Sequence, residues 1–108
     1  MPFVKVLKTS NLPPGGKKII EINGLEIALF NILNQVYAIS NICPHNGGSL
    51  GEGMLFGQTL LCPLHFWKFN VVTGKSSNQP AYRVETYPVK IEEETIFLDL
   101  PDEDPDEE

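Results

Sequence analysis

Nowhere in this chain do consecutive apolar side chains run beyond four; the longest such runs are 27–30 (Ile-Ala-Leu-Phe) and 36–39 (Val-Tyr-Ala-Ile). A helix crossing a bilayer needs roughly 20, and no stretch of the sequence sustains a helical period. What is left is a chain punctuated at short intervals by turn formers, which predicts an all-β fold of short antiparallel strands. Extended runs are expected at 3–8, 18–22, 25–30 and 36–39. Pro13-Pro14-Gly15-Gly16 breaks the first two, Asn23-Gly24 turns the chain before the third, and Asn34-Gln35 turns it before the fourth. Asn-Gly between apolar runs is a strong hairpin signal, so this part reads as a meander of three or four strands. Later runs at 83–92 and 95–100 flank an acidic turn at Glu92-Glu93-Glu94, and Ile96, Leu98 and Leu100 alternate as one buried face would. Strands this short and numerous suit a β-sandwich or small barrel.

The length of 108 residues fits one domain. Such a chain buries roughly 65% of its unfolded surface, enough to fold without disulfides and little enough for a metal site to add real stability. Residues 1–100 are read as the domain and 101–108 as a disordered acidic tail, because the latter hold six acids, no base and nothing to bury. The formal charge of -6 is therefore all in the tail, and the rest balances eight acids against eight bases. A neutral body lacks the basic stripe of a nucleic-acid binder and the polybasic patch of a membrane-surface protein. The opening Met-Pro-Phe-Val-Lys lacks a secretory pattern, which leads to the expectation of a cytoplasmic protein.

Residues 41–81 differ from their surroundings. They hold both cysteines, both histidines and the one tryptophan, and they read as a loop subdomain carrying the function. The cysteines and histidines fall into two clusters, Cys43-Pro44-His45 and Cys62-Pro63-Leu64-His65, separated by 16 residues. Each cluster couples a thiolate donor to an imidazole, with a proline stiffening the chain directly after the cysteine, as preorganised metal ligands require. In a cytoplasmic chain two cysteines seldom form a disulfide. A structural zinc would accept the same four donors, but its usual spacing groups Cys with Cys and His with His. Mixed clusters suit two irons bridged by sulfides, each loop giving its Cys to one iron and its His to the other. Competing motifs fail: Gly74-Lys75-Ser76 has Phe69 where a phosphate-binding loop needs glycine, and a hydrolytic triad would need a histidine not already committed.

The two clusters, together with Ile-Cys-Pro-His-Asn-Gly-Gly-Ser-Leu-Gly-Glu-Gly at 42–53, Leu-Cys-Pro-Leu-His-Phe-Trp-Lys-Phe-Asn-Val-Val-Thr-Gly at 61–74 and Tyr87-Pro88-Val89, resemble the Rieske-type [2Fe-2S] ferredoxins. The resemblance spans roughly residues 3–100. It implies a Rieske-like antiparallel β-fold with Cys43 and Cys62 on a buried iron, His45 and His65 on an exposed one, and Pro80 on a third loop that shields the cluster. It also implies one [2Fe-2S] cluster per chain and the role of a one-electron carrier rather than an enzyme. Such a carrier draws on a flavoprotein reductase, since no flavin or nicotinamide motif is present, and delivers to a terminal oxygenase or similar acceptor. Two alternatives stay open: a fixed small subunit of a multi-component oxidoreductase, as in assimilatory nitrite reductase, and a structural zinc module.

Two thiolates and two neutral imidazoles leave an oxidised [2Fe-2S] centre formally uncharged, where four thiolates would leave a dianion. An electron enters the neutral centre more easily, which places such sites between about -150 and +300 mV. Quinol-oxidising members carry two further cysteines where this chain has Gly48 and Leu64, and hydroxyl donors where it has Trp67 and Phe69. Fewer donors to stabilise the added charge lead to an expected potential below about 0 mV, on the order of -150 mV. Phe66 stands where many members have glycine; it and Phe69 are read as strand residues with one facing the core, and Trp67 as packing.

Overall fold

A computed structural model describes residues 3–22, 24–42, 49–62, 67–76 and 82–100. Ten strands run through them: β1 (Phe3–Lys8), β2 (Lys17–Ile22), β3 (Leu25–Ile32), β4 (Gln35–Ser40), β5 (Met54–Phe56), β6 (Thr59–Leu61), β7 (Lys68–Asn70), β8 (Thr86–Tyr87), β9 (Val89–Glu92) and β10 (Thr95–Asp99). They form three antiparallel sheets, ordered β2-β3-β4-β8, β1-β10-β9 and β5-β6-β7, in agreement with the all-β expectation. The helical turns among the described residues are two single turns of 3-10 helix, at Thr9–Asn11 and Leu50–Glu52. No helix among them is long and apolar enough to cross a membrane.

The apolar runs of β3 and β4 do not alternate with polar residues because the sheet they form is buried on both faces. On one face Ile27, Leu29, Val36 and Ala38 pack with Ile96, Leu98, Leu100, Leu12 and Tyr87. On the other, Ala28, Phe30 and Ile39 pack with Leu50, Leu60, Cys62, Phe69, Val71 and Val84. The β2-β3-β4-β8 sheet is thus a middle layer between the terminal strands and the segment that holds the cysteines. Fully burying each large apolar side chain contributes about 1.5–3 kcal/mol, and β3 and β4 supply residues to both clusters. The expected alternation of Ile96, Leu98 and Leu100 is observed, with all three buried in one cluster.

The expected meander of three or four strands has three, β2-β3-β4; β1 pairs instead with β10, Phe3 opposite Asp99, with a bulge between Lys5 and Leu7. Two other expectations are corrected. The run at 83–92 is not one strand. Pro88 offers no N–H to a ladder, and the chain changes sheets there, β8 pairing with β4 and β9 with β10, while Pro88 O still accepts from Asp99 N at 3.0 Å. The β3–β4 turn falls on Leu33 and Asn34, both at positive φ (52° and 69°), one residue earlier than expected. Asn31 fixes it there: its buried side chain donates Nδ2 to Leu12 O at 2.8 Å and accepts Asn34 N at Oδ1 at 2.9 Å.

Candidate metal centre

Three hairpin-like stems rise from the β5-β6-β7 side of the middle layer, and each closes a short loop. The first continues the β3–β4 ladder: Asn41 N donates to Glu26 O at 2.9 Å, Leu50 N donates to Asn41 O at 2.8 Å, and Ile42 pairs with Ser49. The segment 43–48 leaves and returns between that last pair. Lys17 Nζ, from β2, donates to Gly53 O at 2.7 Å and fastens the returning chain to the middle sheet.

The second stem is β6 and β7, with Leu61 opposite Lys68. It is extended by one rung, Cys62 N to Trp67 O at 2.8 Å, on either side of the segment 63–66. Cys62 is wholly buried, in the cluster that contains Leu50, Leu60, Phe69 and Val84. The third stem pairs Lys75 with Arg83 and closes with Ser76 N donating to Tyr82 O at 3.3 Å, around the segment 77–81. Asn70 shapes the turn into it, its Oδ1 accepting Val72 N at 2.8 Å and Thr73 N at 3.1 Å. The second and third stems touch through the rings of Trp67 and Tyr82, 4.7 Å apart and inclined at 59°, and through the pairing of Phe69 with Ser76.

Of the four expected ligands, Cys62 is described, buried directly after β6. Cys43, His45 and His65 lie outside the described residues, as do Phe66, Pro80, Asn23 and the tail 101–108. The residues flanking 43–48 and 63–66 converge on one core cluster: Leu50 follows the first segment directly after Ser49, Cys62 precedes the second, and both pack in it. Trp67 packs against the same cluster, as expected, and Phe69 is buried on β7. Sequence reasoning missed the polar anchors: Asn41 is 1% exposed and no periodicity marks it.

The family model of the Rieske [2Fe-2S] domain matches residues 2–88. The ferredoxin component of the naphthalene 1,2-dioxygenase/salicylate 5-hydroxylase systems of a Ralstonia species is 37% identical over 91 residues, covering 83% of this chain and 88% of that protein. Among solved structures, the ferredoxin of carbazole 1,9a-dioxygenase from Nocardioides aromaticivorans superposes with a TM-score of 0.84 at 29% identity, covering 91% of this chain and 97% of that one. A chain from a complex of reduced oxygenase and oxidized ferredoxin in carbazole 1,9a-dioxygenase gives 0.82 at 30% identity, covering 89% and 91%. With a wholly buried cysteine at the root of one loop and a family match over most of its length, this chain belongs to the Rieske [2Fe-2S] domain family.

Proposed function

We propose that the protein is a Rieske-type ferredoxin, a one-electron carrier and not itself an enzyme, which takes electrons from a flavoprotein reductase and delivers them to a terminal oxygenase. The observation that carries this reading is Cys62, fully buried where the second loop leaves β6. The residues fit a [2Fe-2S] group: a thiolate donor enclosed by Leu50, Leu60, Phe69 and Val84 suits an inner iron, and a soft donor set of two cysteines and two histidines suits this group. Cys43 and Cys62 are assigned to the inner iron, His45 and His65 to the outer. When bound, the group supplies reversible one-electron chemistry. The stems do the rest: main-chain hydrogen bonds hold the loop roots, and the apolar cluster beneath them keeps water from the cysteine side.

The relatives named as ferredoxin components favour a mobile carrier over a fixed subunit. The solved complex of oxygenase and ferredoxin supports a terminal oxygenase as acceptor. A potential below about 0 mV follows from Trp67 and Phe69 standing where hydroxyl donors would raise it.

The test is a low-temperature electron paramagnetic resonance spectrum of the reduced protein with iron and zinc analysis of the same sample. One unpaired spin per chain with the lowered average g of mixed Cys and His ligation is expected; zinc without iron, in protein made under anaerobic, iron-replete conditions, refutes the reading. His45→Cys and His65→Cys should each lower the midpoint potential, and an unchanged midpoint excludes that histidine as a ligand.

A further inference from the structure

The first loop has a side-chain clamp at its root, built on Asn41. Asn41 is buried at the root of that loop, two positions before Cys43, and every polar group it has is used. Its main chain pairs with Glu26 O and Leu50 N. Its Nδ2 donates to Glu26 Oε1 at 3.2 Å and to Ser49 Oγ at 2.9 Å, and its Oδ1 accepts Gly51 N at 2.6 Å. One amide thus ties β3 to the chain on both sides of the segment 43–48. Gly51 makes the short contact possible: a Cβ there would stand 2.8 Å from Asn41 Oδ1 and 2.5 Å from Ile19 Cγ1.

We infer that Asn41 is a positioning residue, which sets the geometry of the loop bearing Cys43 and His45 and, through it, the electronic environment of the metal group. This rests on the assignment of those two residues as ligands. The side-chain chemistry is specific. An apolar replacement leaves the Gly51 N–H buried without an acceptor, which costs the full desolvation of that group. Aspartate keeps the acceptor for Gly51 but loses the donor to Glu26 and buries a carboxylate beside that exposed acid, which is unfavourable.

The experiment compares Asn41→Ala with Asn31→Ala in the metal-loaded protein. Asn31 is a buried amide with two side-chain hydrogen bonds at the β3–β4 turn, at the other end of β4 from the loop. Two readouts are taken: hydrogen–deuterium exchange of the peptide 41–53 by mass spectrometry, and the g values and midpoint potential of the reduced protein. Asn41→Ala should accelerate exchange in that peptide about tenfold or more, the factor for about 1.4 kcal/mol of lost hydrogen bonding, and should shift g values and midpoint. Asn31→Ala should do neither. Asn41→Asp should behave like the alanine variant, and adding Glu26→Gln should restore wild-type behaviour, because the new amide donates where the carboxylate accepted. This pair carries the test if the alanine variant fails to fold.

Wild-type g values and midpoint in Asn41→Ala, or an equal shift in Asn31→Ala, overturns the inference, as does a failure of Glu26→Gln to rescue. Should the wild-type protein lack the [2Fe-2S] signal, the functional reading falls by itself. Exchange then decides the clamp, supported by a tenfold difference between the two alanine variants in 41–53 and overturned by none.

Discussion

Glu93 and Glu94 occupy the two central positions of the β9–β10 hairpin at φ 51° and 65°, with Glu92 and Thr95 paired across it. A two-residue turn with both φ values positive matches the twist of its strands, but it favours asparagine and glycine. An ordinary residue held in the left-handed region costs roughly 1–2 kcal/mol. Glycine removes that cost and returns roughly 0.5–1 kcal/mol of it as chain entropy. Glu94→Gly should therefore stabilise by about 0.5–1 kcal/mol, and Glu93→Asn should add a smaller gain while relieving a run of three acids. Together they should contribute about 1 kcal/mol, which for a domain of this size raises Tm by roughly 4–8 °C. Thermal and urea unfolding followed by circular dichroism, at matched iron content, reads the effect without touching the metal site. An unchanged or lowered Tm would refute the idea that these backbone angles cost the native state anything. The corresponding change at the other hairpin, Leu33→Asn with Asn34→Gly, should act in the same direction, since Leu33 is 87% exposed and leaves no packing behind.

Phe69→Ala, in the cluster beneath the loops, should destabilise by about 3–5 kcal/mol, measured by urea unfolding; a loss below about 1 kcal/mol would contradict its complete burial. Gly74→Ala should cost more than Gly57→Ala although both sit at positive φ, because a Cβ at Gly74 meets Val84 O at 2.3 Å and one at Gly57 meets nothing; equal losses would mean that the backbone contact yields freely. Burial, and secondarily the charge of Glu85, raises the Tyr87 phenol above its ordinary value of 10.0. The neutral phenol is the form the fold favours, so its contribution is intact below pH 10 and is lost as pH rises through the elevated folded-state value. Alkaline unfolding should accordingly be gentler in Tyr87→Phe than in the wild type, and superposable curves would exclude the effect.

What could be read in advance was whatever local chemistry decides alone. Ile96, Leu98 and Leu100 alternate because one face of their strand is buried, and Glu92-Glu93-Glu94 turns because nothing apolar follows for three residues. The pairing of Phe3 with Asp99 depends on which edge is free once the middle sheet has formed, and no local pattern records that. Nor does the sequence mark the exchange of sheets at Pro88, where a strand pattern continues through a residue that cannot extend a ladder. The three-residue strands β5, β6 and β7 are too short to display a period. At the candidate site the cysteines and histidines announce themselves by chemistry, whereas Asn41 looks like any polar residue beside a turn. Its role comes from Glu26, Ser49 and Gly51, which only the fold brings to it.

Each of the three stems has a main-chain pairing where its loop begins and ends, Ile42 with Ser49, Cys62 with Trp67 and Ser76 with Tyr82. Peptide groups are common to every sequence, so a stem of this kind is indifferent to the side chains its loop displays. Descendants of one ancestral chain could then trade loop residues to meet new partners while keeping the same framework. The root of the first loop also depends on one amide and the glycine that lets it approach. Divergence in this lineage should be slow at Asn41 and Gly51, as at the four proposed ligands, and freer at the exposed positions around them.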